Sequence, residues 1–314
     1  MKRKPPRLNG ILLMDKPAGW TSHDVVAKCR RLLGERRIGH TGTLDPAATG
    51  LLVLCVGKAT RIVEEMTAHT KRYTGAITLG VATDSDDATG TVVERHEVPD
   101  IGPDVLHQLE IQFSGELDQT PPAYSAIQSG GERAYAAARA GRPLVLAARR
   151  VTVHDLHLVR LGPASLSVSV HCGPGTYIRS LARDIGTVLG CGAHLSSLRR
   201  ESVGAFGVVE AWTLQELEAL SAEGSAEQAL LPMDEGLKAL DAAILSAEHI
   251  DDLGHGRGVM IGTVIHPDDH APIRVYGVNG ELVALGKIRP DGELRPYKVI
   301  ALEIDSRVSE PIMG

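Results

Sequence analysis

The sequence predicts an α+β protein: a mixed-sheet domain over residues 1–238, then a small β-rich domain over 239–314. Three observations carry this expectation. Apolar strand-like runs interleave with stretches of helical spacing as far as about residue 238. From about Leu240 the texture changes to short strand-like pieces separated by Gly, Pro and Asp turns. The composition, 43% hydrophobic and 23% charged, is that of a chain that buries a core, and with only 3% aromatic residues that core is aliphatic.

The elements follow in order. Gly10–Asp15 reads as a short buried strand and Lys16-Pro17-Ala18-Gly19 as a turn. Thr21-Ser22-His23-Asp24 offers cap side chains for a helix through about Leu33. Val25, Val26, Cys29, Leu32 and Leu33 share one face of it, and Gly34 is its stop. Ile38 to Thr49 is rich in Gly, Thr, Asp and Pro and is expected to be a loop. Leu51–Val56 is a fully apolar strand, and Lys58–Met66 carries the Ala59/Ile62/Val63/Met66 stripe of a helix. Arg72–Leu79 and Ser165–His171 alternate with period two. Tyr177–Leu189 is helical through Ile178, Leu181, Ile185 and Leu189. Thr213 caps Leu214–Leu220, and Ser221–Ser225 is a loop. Val259–Val264, Ile273–Val278, Leu282–Ile288 and Lys298–Ile304 are the C-terminal strands, with hairpin turns at Asn279-Gly280 and Asp291-Gly292.

Several function classes fall away. No uncharged apolar run approaches the ~20 residues that span a bilayer. The basic start, Met1–Arg7, is followed only by Ile11-Leu12-Leu13-Met14, so no secretory signal is expected. Cys29, Cys55, Cys172 and Cys191 form no C-x-x-C pair, which argues against a zinc site or disulfide framework and suits a reducing cytoplasm. His23, His69 and His171 receive no catalytic role, and the histidines as a set lack metal-like spacing.

The net charge of −6 averages over unlike segments. Residues 1–72 hold 14 basic against 6 acidic side chains, and 131–200 hold 10 against 3. Residues 73–130 hold 1 against 10, and 201–314 hold 8 against 20. Two basic stretches split by an acidic one can fold into one positive cleft for a polyanion, or remain solvated surface.

Gly39–Gly50 is the most informative stretch. Pro46 restricts Asp45 to an extended backbone, so the carboxylate is aimed in a defined direction. A carboxylate on a stiffened loop can be a nucleophile or general base, and Asp-Pro is also ordinary turn chemistry. The loop and the preceding Asp15–Val26 stretch resemble the TruB-type tRNA pseudouridine synthases. Further motifs follow in the family's order. They are Lys71-Arg72-Tyr73, Thr83–Asp86, Gln119–Ala126, Gly130–Tyr135, Gly175–Asp184 and Leu198-Arg199-Arg200. The resemblance runs from residue 9 to about 234.

That resemblance implies conversion of the uridine at tRNA position 55, in the T loop, to pseudouridine. It implies no metal and no organic cofactor. Asp45 matches the family's reactive aspartate, Tyr73 the tyrosine stacked on the target base and proposed to help remove its C5 proton, and Arg179 the arginine paired with the aspartate. Tyr177 and Leu198 match residues lining the uracil pocket. His40 matches the histidine that fills the space left by the flipped uridine. The partner implied is the tRNA T arm, with the protein a monomer that needs no obligatory protein partner and no membrane. The C-terminal segment is similar to a PUA domain. Its acidity suggests only a local RNA contact, through Lys287, Arg289, Arg295 and Lys298. Lys16 is expected to be structural, and Asp84–Asp87 a hairpin or surface loop rather than a cation site. Two rivals remain: a tRNA-folding chaperone for which catalysis is incidental, and a glycosidase, which lacks an evident second acid near Asp45.

Overall fold

Thr49–Val56 is apolar along its whole length because both of its faces are buried. In the computed structural model, which describes residues 7–125, 127–261 and 271–300, Leu52, Leu54 and Val56 enter one core and Leu51, Val53 and Cys55 another. The antiparallel neighbour Gly10–Lys16 divides in the same way, Leu12 and Met14 to the first core, Ile11 and Leu13 to the second. A strand covered on both sides loses the polar alternation of a half-exposed one.

These two strands belong to a mixed ten-stranded sheet. Its spatial order is Leu230–Leu231, Gly10–Lys16, Thr49–Val56, Ala193–Val203, Lys71–Leu79, Ser165–Cys172, Arg149–Gly162 and Gly115–Gln119. Two short strands, Ile38–His40 and Phe206–Gly207, pair at its margins. The pairing of Ala193–Val203 with Thr49–Val56 is parallel, the other pairings within the sheet antiparallel. Helices Ser22–Leu33 and Ile178–Val188 lie over the first face, burying Val25, Val26, Cys29, Ile178, Leu181 and Ile185.

The second face of the central strands is covered from the other end of the chain. Leu282, Leu285 and Ile300 pack with Ile11, Leu13, Leu51 and Val53. Leu282 and Leu285 come from a five-stranded sheet in the order Ala242–Leu245, Ile273–Gly277, Leu282–Ile288, Glu293–Val299 and Val259–Met260, and Ile300 directly follows its Glu293–Val299 strand. Ions reinforce this junction. Lys298 binds Glu64 at 2.6 Å and Glu65 at 2.9 Å, and Arg61 donates to the carbonyls of Val299 and Ile300.

Local chemistry explains the ends of the elements. Thr21 and Asp24 form a reciprocal cap on Ser22–Leu33, each side chain accepting the other's backbone N–H at 3.0 Å. Thr213 and Glu216 repeat the device on Leu214–Ala222. Asn279-Gly280 and Asp291-Gly292 turn antiparallel hairpins, as expected.

Five expectations need correction. Ile38–His40 is a short strand because its backbone pairs with Leu54–Val56, and Thr49 opens the next strand because it pairs with Arg199, despite their turn-like composition. Lys58–Met66 is a 3-10 turn, Gly57–Ile62, followed by the one-turn helix Val63–Thr67. The helix from Leu214 continues to Ala222, into the expected loop. The last strand is Glu293–Val299, set by the Asp291-Gly292 hairpin, rather than Lys298–Ile304; residues 301–304 lie outside the described residues. Of Val259–Val264, Val259–Met260 is a strand and 262–264 lie outside the described residues.

The parallel contact depends on Gly50. Its φ is +99°, and a Cβ there would sit 2.3 Å from the Arg200 carbonyl oxygen and 2.7 Å from its nitrogen. Gly50→Ala is expected to destabilise the fold by about 2 kcal/mol or more, since backbone strain and a backbone collision coincide. Gly19, at φ +82° with nothing within 4 Å of a Cβ, is expected to lose only about 1–2 kcal/mol as Ala. Urea unfolding midpoints of the two variants check the difference.

Candidate active site

Asp45 is presented by a loop whose anchors come from three other segments. Lys16 is fully buried and donates to the carbonyls of Pro17 at 2.9 Å, Trp20 at 2.7 Å and Pro46 at 3.2 Å. Ser22, at the start of its helix, accepts from Leu44 N–H at 2.8 Å and donates to Leu44 C=O at 3.1 Å. Arg200, 1% exposed, donates to Leu51 C=O at 2.6 Å and Gly42 C=O at 3.1 Å, tying both ends of the loop together. The residues on either side of Asp45 are thus fixed, and its carboxylate stays partly open to solvent, 38% exposed.

Arg179 meets that carboxylate side-on. Its Nε lies 2.9 Å from Asp45 Oδ2 and its Nη2 3.2 Å from Oδ1. The remaining donors are occupied: Nη1 by Ser85 C=O at 3.0 Å, with Asp87 Oδ2 at 3.5 Å, and Nη2 also by Tyr124 C=O at 2.9 Å. One turn along the helix, Arg183 binds Asp86 at 2.8 Å and Thr120 C=O at 2.8 Å. Gln119 fixes the helix start, accepting from Tyr177 N–H at 2.8 Å and donating to Tyr177 C=O at 3.1 Å.

Two neighbouring sheet strands place Tyr73 and Leu198. Arg200 stands opposite Tyr73 and Leu198 opposite Gly75. Register shifts between Leu195 and Ser197 and between Arg200 and Ser202 mark bulges on either side of this segment; such bulges re-aim side chains. Tyr73 is buried and feels the charges of Arg200 and Asp45. Tyr177 also lies within the field of Asp45 and Arg179. His40 lies at the loop entrance, edge-on to His23 with ring centroids 5.5 Å apart, and near the charge of Arg200. Among the described residues no group of three His, Cys, Asp or Glu converges as a metal would require.

Residues 30–178 match the TruB family pseudouridylate synthase N-terminal domain model, and residues 179–250 the tRNA pseudouridylate synthase B C-terminal domain model. tRNA pseudouridine synthase B of Arthrobacter sp. (strain FB24) is 42% identical over 292 residues, covering 88% of this chain and 92% of that protein. That of Thermobifida fusca (strain YX) is 42% identical over 303 residues, covering 93% and 99%. The chain belongs to the TruB family. Its fold is also that of a chain in a crystal structure of a Cbf5-Nop10-Gar1 complex, with a TM-score of 0.72 and 27% identity over 93% of this chain and 85% of that one.

In this TruB-family chain the acidic run is, as expected, part of a hairpin, lying in the turn between Val81–Thr83 and Val92–Arg95, and it is partly buried. Ser85 is 5% and Asp86 9% exposed, and the run wraps around Arg179 and Arg183. Two arginines at i and i+4 on one helix, facing a separate acidic cluster, were the readable signal for this clamp. Arg200 carried no comparable signal, because its acceptors are backbone carbonyls.

Burial dominates the titration of the site. It pushes the Asp45 carboxyl up from the ordinary aspartate range; Arg179 opposes this most, Asp87 adds to it, and Lys16 opposes it further. Burial lowers Lys16 to about 8, with Asp45 opposing and Arg200 assisting. Burial raises the Tyr73 phenol and lowers His40, the latter helped by His23 and Arg200.

A carboxylate that must be ionised to act loses activity as pH falls through its pKa, and here that pKa is raised. Arg179→Gln removes the largest opposing charge, so the acid limb of the single-turnover rate is expected to move to higher pH, on top of a fall of about 100-fold or more. A pH–rate profile with an unmoved acid limb would contradict this. Lys16→Met leaves three carbonyls without their buried donor and is expected to cost about 1–3 kcal/mol, read from urea unfolding.

Proposed function

We propose that this tRNA pseudouridine synthase of the TruB family isomerises the uridine at position 55 in the T loop, with Asp45 as the reactive carboxylate. The observation that carries this is the two-point pairing of Asp45 with a guanidinium whose other donors are all engaged. Such a pairing fixes the carboxylate's rotamer and favours its ionised form.

The target base is stacked within the T loop and has to leave the stack before its glycosidic bond can be reached. Tyr73 offers a ring for it to stack on, a contact worth about 1–3 kcal/mol per base. Leu198 and Tyr177 complete the pocket, and His40 occupies the vacated place in the RNA. Asp45 acts as the C1′–N1 bond breaks; the uracil turns and rejoins the sugar through C5. The C5–H electrons return to the ring, C5 loses its proton and N1 gains one, so composition is unchanged. Asp87 is 14% exposed and faces Arg179, the setting of a counter-ion rather than of a glycosidase's second acid.

The catalytic domain is taken as 1–238 and the following PUA-like domain as 239–314. The pairing of Leu230–Leu231 in the ten-stranded sheet and of Ala242–Leu245 in the five-stranded one supports that division. The second domain makes a small RNA contact at most. Arg289 and Arg295 both pair with Glu293, and Lys298 with Glu64 and Glu65. The protein acts on the tRNA T arm as a cytoplasmic monomer without an obligatory protein partner. No described helix is long and apolar enough to cross a membrane.

Asp45→Asn is expected to bind T-arm RNA normally and to lose pseudouridine formation by about a thousandfold or more. The measurement is release of tritium from RNA labelled at uridine C5, beside a filter-binding assay. Full release by this variant would overturn the assignment of Asp45.

A further inference from the structure

We propose that Arg200 is a positioning residue for proton removal from C5, acting through the hydroxyl of Tyr73. The inference rests on the reading of Tyr73 given above and names what makes that phenol competent.

Arg200 is among the largest fully buried side chains, at 1% exposure. No ion pair between described residues involves it; its hydrogen-bond acceptors are the carbonyls of Leu51 and Gly42, and its charge acts on the Tyr73 phenol. Buried guanidinium groups are costly unless every donor is used, and a carboxylate is the usual partner. Here that partner is missing, and the strand register puts a phenol directly across the ladder instead. The position is constrained on both sides. Bulges flank the segment, and Gly50 brings the Arg200 backbone against the catalytic loop. Nε and Nη2 are held by the carbonyls of Leu51 and Gly42, and as a cross-strand pair Arg200 and Tyr73 share one face of the ladder, so the buried guanidinium's charge reaches the phenol.

Burial raises the Tyr73 phenol, and Cys172 and Asp45 raise it further; the Arg200 charge opposes them and favours the phenolate. In the last step the C5–H bond breaks, its electron pair restores the C5–C6 double bond, and the proton passes to the phenolate oxygen. The phenol later returns that proton to water, while N1 takes one from water. No oxidant, reductant or co-reactant enters.

The test is a double-mutant cycle read with two substrates. Single-turnover pseudouridine formation is measured on T-arm RNA carrying protium or deuterium at C5, for wild type, Arg200→Lys, Tyr73→Phe and the double variant. Arg200→Lys keeps a charge but loses the planar fork that holds both loop carbonyls and sets the charge against the phenol. Circular dichroism, urea midpoint and RNA binding confirm that each variant folds. Arg200→Lys is expected to slow the reaction about 10- to 100-fold, with a larger C5 isotope effect than wild type and no further slowing in the Tyr73→Phe background. Slowing with an unchanged isotope effect, or equal slowing in both backgrounds, would overturn the role of Arg200 and leave Tyr73 standing. A fully active Tyr73→Phe would overturn the reading of Tyr73 and the proposal with it. An Arg200→Lys variant as fast as wild type would overturn the proposal alone.

Discussion

The ion pair between Asp45 and Arg179 is the constraint around which the rest of the structure is arranged. Its partners are 134 residues apart, one on a loop and one near the start of a helix. Taking such charges out of water is costly, and the attraction between them compensates only when geometry is good and the other donors are satisfied. The chain meets those conditions from both sides. Lys16, Ser22 and Arg200 immobilise the loop, while Ser85, Asp87 and Tyr124 complete the guanidinium's partners.

The sheet is what lets these pieces meet. Parallel contact at Gly50 and Arg200 joins the loop-bearing strand to the one carrying Leu198, and the next strand brings Tyr73. Helix Ile178–Val188 packs on the same face and delivers Arg179. On the opposite face Leu282, Leu285 and Ile300 close the second core. The C-terminal unit therefore stabilises the strands beneath the site through buried apolar area, whatever RNA it touches, and its Lys298 is committed to Glu64 and Glu65. This accounts for an acidic segment in a protein that acts on a polyanion: its charges lie on the unit that supports the site, and the arginines and lysines of the site belong to the two basic stretches.

Much of the site was readable in the chain because its residues stand in motifs with their own local chemistry. Asp45 before Pro46, Tyr73 in Lys-Arg-Tyr and Arg179 in the Gly175–Asp184 run all fall there. So were the capped helices and the Gly-turned hairpins, since a cap or a positive-φ turn is decided by neighbours in sequence. What was misread shares one cause. Ile38–His40 looks like a loop by composition, yet backbone pairing with Thr49–Val56 makes it a strand. Asp84–Asp87 lies in the hairpin turn its composition suggests, yet Ser85 and Asp86 are buried and the run clamps Arg179 and Arg183.

By itself the sequence determined the family, the side chains proposed for the reaction, and the local elements that carry them. It also determined that the core would be aliphatic, leaving each tyrosine to be asked about singly. Only the tertiary structure decided which charges are paired, which are buried, and that Arg200 faces Tyr73 across the ladder. The physical reason is one of range. Caps, turns and periodicity act over a few residues, whereas desolvation and ion pairing depend on groups that the chain brings together from more than a hundred residues away.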